Sequence, residues 1–230
     1  MRVATWNVEW AAPGTTRGRR VADALSNLGD VVVVTECELP LLPAGHIIDA
    51  GADWGYTSPS AERRKVAMWS ATPWSDVDTE GDPQLPGGRF VAGTTHTDIG
   101  SIRVVGLCIP WQGAHVASGR RDRRPWEDHR TFLEFVGPVI ARQPRPLIVA
   151  GDFNQRIPRA RQPLELFQLL SDVVEGFDVP SAGNFAGGQL IDHVALSGDL
   201  RAGDALVIPD RTEGGRLSDH TGFSVEVGPR

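Results

Sequence analysis

Hydrophobic positions along the chain switch between a period of two and a period near 3.6, and the first forty residues set the theme. Arg2 to Val8 alternates around Val3, Thr5 and Trp6, which predicts a strand whose end presents Asn7 and Glu9. From Arg17 to Leu28, Val21, Leu25 and Leu28 recur at helical spacing with Arg19, Arg20 and Asp23 on the other face. A helix is predicted there, stopped by Gly29. Val31 to Val34 is a continuous β-branched run, the pattern of a strand covered on both faces, and it ends in Thr35-Glu36-Cys37-Glu38. Strand, helix, strand is a crossover unit, which places Asn7 and Glu36 near the same end of one sheet.

Pro40 to Gly55, rich in Pro, Gly and Ala, reads as loop with a short helical turn. Short strands are predicted at Val66 to Ser70 and Asp76 to Thr79, followed by a long connection to Gly88. Arg89 to Thr97 and Ile102 to Ile109 form a hairpin by loop length and composition. Pro125 suits a first helical turn. Phe132, Phe135, Val136, Val139 and Ile140 then make an apolar stripe in which Pro138 implies a kink or a break. A short helix is predicted around Leu164, Phe167 and Leu170, with strands at Gln189 to Ser197, Ala205 to Ile208 and Phe223 to Val227.

The run Leu147-Ile148-Val149 delivers Gly151-Asp152-Phe153-Asn154 to its end. Residues two apart on an extended backbone point the same way, so Asp152 and Asn154 face one ligand together. A turn that uses Gly and Asp for backbone reasons is the plain alternative. Their company decides between the two: Asn7, Glu36, Asp192, Asp219 and His220 also stand at the ends of apolar runs. Carboxylates gathered at one rim repel one another unless a cation or a proton sits among them. A hard divalent ion held by one or two carboxylates and substrate phosphate oxygens resolves that repulsion.

Composition narrows the partners. With 23 basic and 29 acidic residues the net charge is −6, so bulk charge will not bind polyanions. The densest positive patch holds Arg120, Arg121, Arg123 and Arg124; it is either a solvated loop or a phosphate-facing one. Lys65 is the only lysine. Cys37 and Cys108 lie in or beside apolar runs and read as buried free thiols. The N-terminus turns polar at once, and no segment is long and apolar enough to span a bilayer, so a reducing, cytoplasmic setting is expected. Without a fixed-period repeat or a low-complexity linker, the expectation is one domain over residues 1–230, acting as a monomer.

Taken together, Thr5-Trp6-Asn7-Val8, Val34-Thr35-Glu36, Gly151-Asp152-Phe153-Asn154, Ile191-Asp192-His193 and Ser218-Asp219-His220 resemble the endonuclease/exonuclease/phosphatase superfamily in order and spacing. The resemblance implies a four-layered α/β sandwich, two mixed β-sheets packed face to face with helices on the outside. It also implies a divalent-metal-dependent hydrolase of phosphate esters, using Mg²⁺ or alternatively Mn²⁺. By the same resemblance Glu36 is the principal metal carboxylate, with Asn7, Asp219 and Glu9 as further metal contacts. Asp152 activates water, Asn154 holds the scissile phosphate, His220 donates to a nonbridging oxygen, and Asp192 orients His220. Arg121, Arg124 and Trp111 are the expected substrate contacts.

The sequence departs from the family at one place. Nuclease and sphingomyelinase branches carry a His, and the abasic-site branch a Tyr, where this chain has Leu107-Cys108-Ile109-Pro110-Trp111. His96, His115 and Trp111 are the nearby substitutes. A nuclease-like phosphodiesterase acting on DNA or RNA is the leading expectation, and a small-molecule or lipid phosphoesterase is the alternative. A catalytically idle binding module would have lost the Asp or the imidazole, and both are present.

Overall fold

The computed structural model describes residues 1–185 and 187–230. Its first sheet has the order β10-β13-β1-β2-β4-β3 and its second the order β5-β6-β7-β8-β9. In chain order the strands of the first sheet are β1 (Arg2–Asn7), β2 (Val31–Glu38), β3 (His46–Asp49), β4 (Arg63–Ser70), β10 (Leu200–Ile208) and β13 (Gly222–Pro229). The second sheet comprises β5 (Trp74–Asp78), β6 (Phe90–Thr97), β7 (Gly100–Cys108), β8 (Leu147–Asp152) and β9 (Asp192–Leu196). Helix α1 (Thr16–Leu25) covers the first sheet, and α2 (Glu127–Ala141) with α3 (Leu164–Val173) covers the second. This is the expected four-layered α/β sandwich with two mixed sheets.

Alternation along the strands explains the layers. Val3, Val33 and Met68 of the first sheet meet Val104, Ile148 and Val194 of the second in the central core. The residues between them point outward: Ala4, Trp6, Val32 and Val34 pack on Val21 and Leu25 of α1. On the other side Val105, Leu107 and Val149 pack on Phe132, Val136, Val139 and Leu170. At Gly106 the sheets approach so closely that a Cβ would lie 3.0 Å from the Met68 sulfur.

Several boundaries differ from the sequence expectation, each for a local reason. Helix α1 ends at Leu25, before Gly29, because the Ser26 hydroxyl and the Asn27 amide donate back to the Ala22 and Asp23 carbonyls. Helix α2 runs unbroken through Pro138 and starts after Pro125, behind a left-handed Trp126. The stretch read as loop between Pro40 and Gly55 contains the edge strand β3, whose four residues are too few and too exposed to show a period. Strand β5 starts two residues early, at Trp74. Strand β10 starts at Leu200, five residues early, across a bulge between Ala202 and Ala205 whose polar residues face solvent. The two-residue hairpin of β11 (Arg211–Thr212) and β12 (Gly215–Arg216) carries no hydrophobic signal at all. No helix among the described residues is long and apolar enough to cross a membrane.

Candidate active site

Strand register brings the polar residues together. Parallel pairing of β1 and β2 sets Asn7 opposite Thr35, one residue before Glu36. Parallel pairing of β7 and β8 sets Cys108 opposite Asp152, and antiparallel pairing of β8 and β9 sets Asp152 opposite Asp192. Gly151, one residue before the end of β8, lies hard against β7. Its φ is +141°, and a Cβ would sit 1.9 Å from the Leu107 carbonyl oxygen, so only glycine fits.

Asp152 is buried and accepts three hydrogen bonds: from the Asn7 amide at 3.1 Å, and from the Asn154 backbone and side chain at 2.9 Å each. The second Asn154 amide proton goes to the Ile109 carbonyl at 2.8 Å. Both side-chain donors of Asn154 are thus spent inside the protein. Burial is the main cause raising the Asp152 pKa to about 7; His220 opposes it, while Asp192 and Glu36 add to it.

His220 Nδ1 lies 3.2 Å from Asp192 Oδ2. Its loop is fixed by Ser218, whose hydroxyl donates to the Asn7 carbonyl and accepts from the His220 backbone, and by the Trp6 indole bonding the His220 carbonyl. Burial alone would lower the pKa of His220. The charges of Asp192 and Asp152 outweigh it and raise the pKa to about 10. A pKa raised this far favours the protonated ring, with Nδ1 turned to Asp192 and Nε2 3.9 Å from Asp219. Asp192 Oδ1 is buried and without a hydrogen-bond partner among the described residues.

The remaining expected ligands are met by cations from the chain. Glu36 Oε1 sits 2.5 Å from the Lys65 ammonium. Glu9 is clamped between Arg17 at 2.7 Å and Arg216 at 2.6 Å, so it does not stand free for a metal. Asp219 is half exposed, 4.0 Å from Arg216. Glu9, Trp10, Glu36 and Asn154 all have φ between 48° and 53°, a left-handed conformation that costs non-glycine residues on the order of 1–3 kcal/mol each. Four such residues around one rim mark a backbone held in place by its surroundings.

Of the substitutes for the missing family His, none enters this cluster. His96 is exposed at the far end of β6, beside Ser101. His115 is buried and directed at the Trp54 carbonyl, 3.2 Å away, and burial lowers its pKa. Trp111 is 47% exposed and lines a cavity of about 370 Å³ beside Asn154, together with Trp126, Arg156 and Arg161. In the arginine cluster, Arg120 and Arg123 pair with Asp122 and Asp128. Arg121 and Arg124 are exposed, Arg124 lining a neighbouring cavity with Trp126. Sequence reasoning missed Lys65, Arg156 and Arg161 as site residues. The one available signal was that the chain's only lysine directly precedes the strand predicted at Val66 to Ser70.

Three ligand atoms from Asp152, Asp192 and His220 lie within 4.8 Å of one another. A protonated imidazole offers donors only, so in that state these three atoms suit proton transfer better than metal ligation. Hard-oxygen donors that suit Mg²⁺ are instead the free oxygen of Glu36 and the amide oxygen of Asn7. Asp192 and Glu36 both add to the raised pKa of Asp152, and one Asp192 oxygen has no partner among the described residues, so the donor set fits a divalent cation.

Residues 4–220 match the family model described as endonuclease/exonuclease/phosphatase family. No curated protein matches the chain. Among solved structures it is similar to the 3′ phosphatase NExo from Neisseria bound to product DNA hairpin, at 20% identity over 98% of both chains and a TM-score of 0.68. It is also similar to an AP endonuclease from Archaeoglobus fulgidus, at 16% identity over 98% of both chains and a TM-score of 0.68. A beta toxin from Staphylococcus aureus aligns at 12% identity over 98% of this chain and 99% of its own, with a TM-score of 0.62. The fold, the order of the motifs and the family match agree: the chain belongs to the endonuclease/exonuclease/phosphatase family, whose members hydrolyse phosphate esters.

Proposed function

We propose that the chain is a divalent-metal-dependent phosphodiesterase of nuclease type, in which water attacks phosphorus in line. The observation that carries this reading is the Asp192–His220 pair beside Asp152, an imidazolium and a water-activating carboxylate sharing one buried rim. Asp152, with a pKa of about 7, is matched to taking a proton from water near neutrality. His220 presents Nε2–H to a nonbridging oxygen, where negative charge grows in the transition state, and Asp192 fixes that orientation. Asn7 and Asn154 hold the Asp152 carboxylate. Because both of its amide protons are spent, Asn154 acts by positioning Asp152 rather than by gripping phosphate.

Glu36 and Asn7 would hold Mg²⁺, or alternatively Mn²⁺, which when bound supplies Lewis-acid charge to the phosphate oxygens. Nucleic acid is supported as the substrate class by Arg156, Arg161, Trp111 and Trp126 along the cavity next to Asn154. That NExo binds a DNA hairpin product supports the same class.

The test is hydrolysis of abasic duplex, single-stranded DNA, RNA, a bis-aryl phosphodiester and phosphoinositides, each with Mg²⁺ and with EDTA. Activity on the nucleic acids that requires metal and falls with salt is expected. Asp152→Asn and His220→Ala should each lose about 10²- to 10⁴-fold in turnover. Undiminished hydrolysis in EDTA, or a folded variant with wild-type turnover, would overturn the reading.

A further inference from the structure

Beside Glu36, the loops after β1 and before β4 form a slot of about 200 Å³ that none of Asp152, Asp192 and His220 lines. We propose that this slot is a nucleobase-binding subsite, which takes the ring of a nucleotide flanking the scissile phosphate in single-stranded nucleic acid. The proposal rests on the nuclease reading above and names what that reading leaves open.

Its walls are aromatic and fixed. Trp10 stacks on Trp54 with ring centroids 5.5 Å apart and planes 22° apart. Trp10 holds its left-handed conformation through a 2.7 Å bond from its amide to the Glu36 carbonyl, so its placement is tied directly to the rim. Tyr56 is locked from behind: it stacks on the buried His115 ring at 4.3 Å, and its hydroxyl accepts from the His115 amide at 2.8 Å. His115 Nδ1 accepts from the Arg120 amide, which leaves Nε2–H to donate to the Trp54 carbonyl. One buried histidine thus braces both Tyr56 and the carbonyl of Trp54. Walls set before binding cost little further ordering when a ring enters.

Trp111 forms the open side. It is 47% exposed and lines both this slot and the cavity beside Asn154, so it stands between the two. Charge selects the occupant. Arg63 and Lys65 stand over the Trp10 ring at 4.9 and 5.2 Å, paired with Glu38 and Glu36. Aromatic cages that hold quaternary ammonium groups keep their ring faces free for the cation. Here the Trp10 ring already carries two cations besides its stack on Trp54, which repel a choline headgroup, while the exposed Trp111 ring offers the π-face on which any base can stack. Lys65 touches Glu36 and the slot at once, so a base seated there has its phosphate beside Glu36.

The test is equilibrium binding in EDTA, by fluorescence anisotropy, of a labelled short oligothymidylate and of the same backbone carrying abasic tetrahydrofuran residues. The base-bearing strand should bind roughly 5- to 100-fold more tightly. Trp111→Ala should remove most of that ratio, and Trp111→Phe, which restores a ring, should keep most of it. Equal affinity for the two backbones, an unchanged ratio in Trp111→Ala, or displacement of the oligonucleotide by phosphocholine would overturn the proposal. Binding is read without turnover, so the two readings fail separately. A chain that discriminates bases but hydrolyses nothing overturns the hydrolase reading, and an active chain indifferent to bases overturns the slot.

Discussion

Replacing Asp192 with Asn isolates the interaction on which the proposed chemistry depends. The His220 pKa stands at about 10 against an ordinary 6.5, despite burial that pushes it down. Two of the causes that raise it, the Asp192 charge and the Asp192 hydrogen bond, disappear in Asp192→Asn, while Asp152 and Asp219 remain. An opposite charge in contact is worth about 1–3 pKa units, so the imidazolium should lose about 1.4–4 kcal/mol of its preference over the neutral ring. The sign of the pH effect follows from linkage. A histidine whose folded pKa is raised contributes stability that is complete below pH 6.5 and is lost as the pH climbs towards 10. Wild-type unfolding free energy should therefore fall across that window, and the fall should be shallower in the variant. NMR titration of the His220 ring carbons, with urea denaturation at matched pH values, measures both. A wild-type His220 that titrates near 6.5, or a variant whose His220 pKa is unmoved, would refute the charge pairing and the imidazolium with it.

Other consequences are equally direct. Lys65→Met removes the ammonium from Glu36 and should tighten Mn²⁺ binding, read by calorimetry, by at least about tenfold, because a like charge no longer opposes the ion. Gly151→Ala forces a Cβ into the Leu107 carbonyl and should cost more than about 3 kcal/mol in urea denaturation, or abolish folding. Burial lowers the pKa of both His129 and His193 to about 4. The unfolded chain protonates at 6.5, so stability should fall as pH drops from 6.5 towards 4, visible as a falling urea midpoint. His129→Gln should soften that acid limb.

What the sequence made legible was periodicity and the polar residues that interrupt it. Asn7 and Asp152 close apolar strands, Asp192 opens one and His220 precedes another; strand pairing sets the first three at one rim, and the Ser218 hydroxyl, donating to the Asn7 carbonyl, holds the His220 loop beside them. The two-sheet architecture followed from the family resemblance, since alternation shows that a face is buried but not what covers it. Edge strand β3 and the β11–β12 hairpin escaped because they are only two to four residues long and mostly exposed, too short to show a period. The ion pairs were equally invisible. Nothing in the spacing of Glu9 couples it to Arg216, 207 residues away, or ties Lys65 to Glu36 across β2 and β4. Glu9 therefore read as a metal ligand when its carboxylate is already occupied by two guanidinium groups.

Those ion pairs also bear on the kind of phosphate the rim accepts. With Asp152 ionised, the rim holds five carboxylates, those of Glu9, Glu36, Asp152, Asp192 and Asp219, and four cations, those of Arg17, Lys65, Arg216 and His220. The balance is one negative charge. A divalent cation turns it to one positive charge, and a phosphodiester, which carries one negative charge, then brings the rim to neutrality. A phosphomonoester dianion would leave it negative again beside a carboxylate that must stay ionised. In low dielectric such an uncompensated charge is expensive. On the proposed mechanism, charge balance would therefore favour a diester over a monoester, and it would tie that preference to Lys65: without its ammonium, metal and diester together would leave the rim one charge short.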